Sequence, residues 1–448
     1  MERHIVNTLI AGEAGQGLQT LGGLLSRILV RAGYRIVVTQ SYMSRIRGGH
    51  NTFAVRASDG EIHAPGEEID LLLCMDAPSI DIHRGEMREG GLVIADASDA
   101  ADGILAVPFD DLPGGIVQGT VALGILCALL GIDRERAIES VAGAFEKKGE
   151  EVVRKNREAF LAGFAWGAEN GGDACALSPV DASPDRLALN GNQAIALGAA
   201  SAGVRFCSFY PMTPATSVPL TLIAMAERAG IVVEQVEDEI AAINMAIGAS
   251  FAGAPAMTAT SGGGFALMQE GVSLAGATET PVVVVIAQRP GPATGLPTRT
   301  EQADLDFVLH AGHGEFPRAI WAPGTVEQCF HLARRAVESA ERWQGPAFLL
   351  TDQFLADSIR AVEPFDVAGL PAVVPGADPA SVETPYERYR VTEDGVSPRV
   401  LPGASDHLVV ADSDEHTADG HLTEDLEARV RQNDKRLRKG AGILAAVE

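Results

Sequence analysis

The chain has 448 residues, and its 35 Lys and Arg side chains against 60 Asp and Glu give a formal net charge of −25. At roughly 150 residues per domain this length predicts two or three domains with cores of their own, and the acidity argues against a basic face for nucleic acid or anionic lipid. No run of about 18 uncharged apolar residues is present, the N-terminal MERHIVNTLI is charged and then strand-like, and the five cysteines lie far apart without metal-ligand spacing, so a cytoplasmic chain with no membrane segment and no metal site of its own is expected.

In chain order, Ile5 to Ile10 reads as a strand, Gly17 to Ala32 as a helix and Arg35 to Val38 as a strand. Short apolar runs follow at Thr52 to Val55, Leu71 to Met75, Leu92 to Ala95 and Ile104 to Val107, then helices near Thr120 to Leu130, Arg134 to Lys147 and Arg154 to Glu169. This alternation is that of a parallel α/β sheet. A stretch rich in Gly, Ser, Asp and Pro marks a linker, set at 173–188. A second alternation runs from helix Gln193 to Ala202 through strands Phe206 to Tyr210, Val232 to Val236 and Ala256 to Ala259 to the run PVVVVIAQ, which is apolar enough for a strand buried on both faces. Strands Arg318 to Trp321 and Ala347 to Thr351 flank helix Thr325 to Ser339, and seven prolines between 361 and 402 predict an extended connection ahead of a charged, helix-like segment, Thr423 to Lys439. The expected fold is therefore two doubly wound parallel-sheet α/β domains, 1–172 and 189–360, with an extended C-terminal tail, 361–448.

Several clusters carry chemistry. Gly12-Glu13-Ala14-Gly15-Gln16-Gly17 joins a strand to a helix, where backbone N–H groups cradle an anion or make a tight turn at a subunit contact; the order of glycines and the lack of an acid after Val38 disfavour NAD. Arg45, Arg47 and His50 form a cationic loop suited to a phosphate or carboxylate, or to ordinary surface ion pairs. In VEQVEDEIAAI, Glu237 and Asp238 are accounted for as acids at a helix N-terminus. Glu239 differs, because Ala241, Ala242, Ala246, Gly248 and Ala249 behind it permit close approach of another subunit or a flat cofactor. A desolvated carboxyl there has a raised pKa and shares a proton with a ring nitrogen. YPMTPATS, TATSGGG and QRPGPATGLPT leave other strand ends on the same edge, and Arg289 after the most buried strand suits a small carboxylate.

These residues resemble the 2-oxoacid:ferredoxin oxidoreductase family, with a γ-type domain fused ahead of a pyrimidine-binding α-type domain. The matching stretches, from near residue 5 to near 440, are GEAGQG, SYMSRIRGGHN, YPMTPATS, VEDEIAAINMAIGASFAGA, TATSGGGFALMQE, QRPGPATGLPTRTEQADL and DEHTADGHLTED…DKRLRK. The resemblance implies that Glu239 hydrogen-bonds the aminopyrimidine of thiamine diphosphate, with Tyr210 and Pro211 in the same cofactor site. It also implies that Thr213 lies near the reacting centre, that Arg289 and Thr294 hold the substrate carboxylate, and that Arg45, Arg47 and His50 contact CoA or another anion. No GDG followed by Asn at magnesium spacing occurs, so the diphosphate, its Mg²⁺ and a 4Fe–4S cluster are assigned to a separate β subunit that passes electrons to ferredoxin, in a dimer of heterodimers. Family chains of this fused kind continue into a further α/β domain beyond the DKRLRK segment. The expected reaction is oxidative decarboxylation of a 2-oxoacid, best matched by 2-oxoglutarate, with CoA. The rival readings are a non-oxidative thiamine-dependent decarboxylase or transketolase-like half-subunit, and a scaffold that only binds a partner.

Overall fold

The computed structural model describes residues 3–42, 49–113, 118–172 and 175–447. Arg45 and Arg47 lie outside the described residues. The chain divides into two compact units, Met1–Leu189 with Ser358–Phe365, and Asn190–Asp357 with Asp366–Glu448.

In the first unit the strands are β1 (Ile5–Glu13), β2 (Arg35–Tyr42), β3 (His50–Ser58), β4 (Ile69–Cys74), β5 (Met87–Asp96), β6 (Ile104–Val107) and β7 (Leu187–Leu189). β4 is buried at every position, as a strand covered on both faces must be. The glycines of GEAGQG answer a backbone requirement: Gly15 and Gly17 take φ of 102° and 84°, a left-handed geometry that turns β1 into helix Leu18–Arg31. Parallel order is confined to β1, β4, β5 and β6. β3 instead pairs antiparallel with both β1 and β2, so this sheet is mixed where uniform parallel alternation is expected from sequence. The sheet ends in two strands that the sequence does not announce. The segment Arg360–Val362 returns from beyond the second unit's central sheet to pair antiparallel with β2 and with β7. Part of the expected linker is thus a strand, and Arg3 N–H donates to the carbonyl of Ala176 within it at 2.8 Å.

The second unit holds a six-stranded parallel sheet of β8 (Phe206–Phe209), β9 (Val232–Gln235), β10 (Ala256–Thr260), β11 (Val282–Gln288), β12 (Ala319–Trp321) and β13 (Pro346–Asp352), in the order β12-β13-β11-β10-β8-β9. β10 and β11 are buried at every residue. Helix Val326–Trp343 is the most regularly amphipathic: Val326, Cys329, Phe330, Ala333, Ala336, Val337 and Ala340 fall on one face and are buried. Residues 366–425 are largely irregular, as the prolines predict, yet they do not form a separate tail. Arg388, Tyr389 and Val400 are buried within the second unit, and helix Leu426–Val447 buries Gln432, Lys435, Arg436, Lys439 and Ile443.

Candidate functional site

Because β11, β10, β8 and β9 are parallel neighbours, the loops leaving their C-terminal ends share one edge, where open α/β sheets bind ligands. Asp238 caps helix Glu239–Phe251 by accepting the Ala241 N–H at 2.7 Å, which leaves the next carboxyl, Glu239, free of capping duty. Glu239 is only 3 % exposed, and its Oε1 is buried without a hydrogen-bond partner. Burial pushes its pKa above the ordinary glutamate value; its own backbone N–H opposes this, Asp238 adds to it and Arg289 opposes it.

Space for that carboxyl comes from Gly264, on the helix after β10. A Cβ at 264 would stand 2.5 Å from Glu239 Oε1 and 2.2 Å from Thr260 Oγ1, distances no side chain tolerates. Thr260 Oγ1 in turn donates to Met212 Sδ at 3.8 Å, tying the YPMTP loop to the end of β10. Arg289, half-buried after β11, donates from Nη1 to the carbonyl of Thr213. Burial lowers its pKa and the Glu239 carboxyl raises it, so the two groups feel one another. Buried Asn192 anchors the same loop, donating from Nδ2 to the Pro214 carbonyl at 2.8 Å and to Ser217 Oγ at 2.7 Å. Two more buried polar atoms on this edge, Ser261 Oγ and Asp304 Oδ2, have no protein partner. Asp304 is held at the far end of the Arg289 loop by its N–H to Gln288 Oε1 at 2.9 Å.

The structure therefore brings Glu239, Arg289 and Thr213 together. Pro211 and Thr294 are exposed, Thr294 within a run of exposed residues from 291 to 296, and Tyr210 is 40 % exposed at the start of its loop. Asn192, Thr260 and Gly264 are the residues that sequence reading misses. Thr260 and Gly264 lie in the TATSGGG loop already placed on this edge, but nothing in that loop alone assigns either of them a partner. A buried carboxyl oxygen without a partner is what a ring nitrogen or amino group would satisfy, so these residues fit the aminopyrimidine that the resemblance implies.

His50 begins β3 in the first unit. Its Nε2 lies 2.7 Å from His83 Nε2, and His83 Nδ1 lies 2.7 Å from Glu86 Oε2. Burial and His83 lower the His50 pKa against the pull of Asp76 and Glu86. That lowering works against His50 as a cationic ligand for an anion.

A parallel α/β sheet with a buried, unpartnered carboxyl oxygen at its C-terminal edge defines a protein that binds a ligand with a hydrogen-bonding nitrogen there. The family described as "Pyruvate flavodoxin/ferredoxin oxidoreductase, thiamine diP-bdg" matches residues 197–435, and "Pyruvate ferredoxin/flavodoxin oxidoreductase" matches residues 7–166. A 2-oxoacid:ferredoxin oxidoreductase subunit alpha from Sulfolobus sp. is 32% identical over 96% of this chain and 77% of its own length. The 2-oxoglutarate oxidoreductase subunit KorA of Mycobacterium tuberculosis is 29% identical over 85% of this chain and 66% of its own. The solved 2-oxoglutarate:ferredoxin oxidoreductase from Magnetococcus marinus, with 2-oxoglutarate, coenzyme A and succinyl-CoA bound, superposes with a TM-score of 0.84 at 31% identity, covering 99% of this chain and 80% of that one. The chain belongs to the 2-oxoacid:ferredoxin oxidoreductase family, as an α subunit of a multi-subunit enzyme. Among its described residues no helix is long and apolar enough to cross a membrane.

Proposed function

We propose that this chain supplies the pyrimidine-binding and substrate-gripping half of a 2-oxoglutarate:ferredoxin oxidoreductase. The observation that carries this reading is the buried, unpartnered Glu239 Oε1 with Arg289 close enough to influence it. Thiamine diphosphate supplies the carbon nucleophile and the electron sink for loss of CO₂. Glu239 holds a proton at its buried carboxyl, where a ring nitrogen of the cofactor would share it. Arg289, steadied by the Thr213 carbonyl, grips the carboxylate of the 2-oxoacid, with Thr213 beside the reacting carbon and Thr294 contributing from its loop. Tyr210 and Pro211 line the cofactor's approach. Arg45, Arg47 and His50 are proposed to contact CoA or another anion. The diphosphate with its Mg²⁺, the 4Fe–4S cluster and transfer to ferredoxin belong to a β subunit, in a cytoplasmic dimer of heterodimers. Likeness to the 2-oxoglutarate enzyme and to relatives named for 2-oxoglutarate favours that substrate over pyruvate.

The test is to purify this chain with the product of the neighbouring reading frame and compare CoA-dependent ferredoxin reduction by 2-oxoglutarate and by pyruvate. A kcat/KM at least about tenfold higher for 2-oxoglutarate is expected, the discrimination that roughly 1.4 kcal/mol of extra carboxylate recognition gives. Preference for pyruvate would overturn the substrate, and turnover without an iron–sulfur partner would favour a non-oxidative decarboxylase. The chain alone should bind thiamine diphosphate weakly by calorimetry.

Gly264→Ala provides a second check. Its methyl would force the Glu239 carboxyl or the Thr260 hydroxyl out of place. Thiamine diphosphate affinity of the assembled enzyme should fall at least about tenfold, a loss of roughly 1.4 kcal/mol, while assembly persists. Unchanged affinity would mean that the carboxyl is not placed by this contact.

A further inference from the structure

Just ahead of β11 the second unit buries a knot of charge. Glu279, at φ 50° after helix Gln269–Ala277, has no exposed surface. Lys435 Nζ lies 2.5 Å from its Oε1 and Lys439 Nζ lies 2.5 Å from its Oε2. The two lysines are one helical turn apart on helix Leu426–Val447, so both reach the same carboxylate. Arg388 Nη2 donates to the Glu279 carbonyl at 2.8 Å, and the Tyr389 hydroxyl donates to the Thr278 carbonyl at 3.2 Å. Lys435 also donates to Ser397 Oγ at 2.7 Å, Lys439 to the Gln344 carbonyl at 3.1 Å, and Gln432 Nε2 to the Tyr389 carbonyl at 3.0 Å. Two lysines thus pair with one buried carboxylate, while a third cation, Arg388, bonds the main chain of the same residue with its Nη1 buried and unpartnered. Such a surplus of buried charge is costly, while removal of the one carboxylate would leave every cation uncompensated.

We propose that this cluster is a pH-sensitive lock: Glu279 draws Arg388, Lys435 and Lys439 inward and so docks residues 386–447 onto the rest of the second unit, and the lock tightens when a lysine sheds the surplus charge as a proton. Burial pushes Lys435 down to about 8 against the pull of Glu279, and pushes Lys439 down as well. A lysine depressed in the folded state keeps its proton longer in the unfolded chain, so stability rises with pH between the folded value and the ordinary lysine value. The other groups facing the lysines do not titrate in that window. Burial alone would raise Glu279, but Lys439, Lys435 and Arg388 bring it down to about 2. Burial also raises Glu415, which Arg436 and Arg429 bring down to about 2, lowers His416, whose ring lies tilted against Tyr389, and pushes Tyr389 up to about 12. Arg388 and Arg436 are the remaining cations that face the lysines.

Trp343 is a built-in reporter, because a Cβ at Gly442 of the docked helix would come 2.0 Å from its ring. In the full chain with Trp166→Phe and Trp321→Phe, the urea midpoint followed by Trp343 fluorescence should rise by on the order of 0.5 M between about pH 7 and pH 9.5. The rise is read against Glu279→Met/Lys435→Met/Lys439→Met in the same background, which cancels all other titrating groups, buried thiols included. That variant should still dock, since buried ion pairs tolerate apolar replacement, but lose the rise. Glu279→Gln should lower the midpoint at every pH or abolish the transition. The lock is overturned if the triple variant keeps the whole rise, if the midpoint difference between the two is flat with pH, or if Glu279→Gln leaves the midpoint unchanged.

Discussion

Arg289→Ala in the assembled enzyme should cost about 2–5 kcal/mol in kcat/KM for the 2-oxoacid, the range for truncating one partner of a desolvated, hydrogen-bonded charge pair. An ordinary surface ion pair allows only about 0–1 kcal/mol, so the two accounts separate cleanly. The position supports the larger figure. β11 is buried along its whole length, and Arg289 leaves its end already committed by one nitrogen to the Thr213 carbonyl. That bond fixes the plane of the guanidinium and leaves its other donors for a carboxylate. Arg289→Lys should keep the charge but lose the planar fork, raising KM for the 2-oxoacid with little change in thiamine diphosphate affinity. Steady-state kinetics of both variants decide the matter; an unaltered KM in Arg289→Ala would remove the residue from the substrate site.

Glu239→Gln should lose activity by about 10²–10⁴-fold, the usual contribution of a positioned acid–base group, because an amide cannot supply the carboxyl proton. The same change should not destabilise the chain. A carboxyl whose pKa is raised in the folded state binds more protons there than in the unfolded chain. Its contribution to stability is favourable at low pH and is lost as pH climbs through the folded value. Glutamine removes that liability, so Tm near neutrality should stay level or rise while turnover collapses. A fall in both together would assign Glu239 to holding the helix in place. Loss of activity at high pH should also be present in the native enzyme wherever Glu239 ionisation limits it.

What the sequence made legible was whatever depends on local pattern. An acid beyond the two that cap a helix, backed by Ala and Gly, singled out Glu239, and an arginine after an uninterrupted apolar run singled out Arg289. The contacts that finish the site are set by distance in space. Gly264 matters because of a carboxyl 25 positions earlier, on the helix that joins β9 to β10, and only the folded chain brings the two together. Strand direction was hidden for the same reason: β3 looks like any half-buried strand, and nothing in its own residues says that it runs against β1. The charged C-terminal helix misleads most. Lysines at 435 and 439 stand in a segment that reads only as charged and helix-like, yet their partner lies 156 residues before Lys435, and both are buried.

The short strand Arg360–Val362 has a consequence for how the protein can be divided. It sits between β2 and β7, so β7 joins the sheet only through it, and the chain reaches it only after passing through the whole of β8 to β13. A fragment ending at residue 172 would therefore lack both strands, and one ending at 189 would lack Arg360–Val362, baring the backbone of β2 around Val37 and Val38 as an edge open to other chains. Aggregation of such a fragment would reflect a missing hem on its sheet, and joining residues 358–365 to residue 189 through a short turn would restore the border.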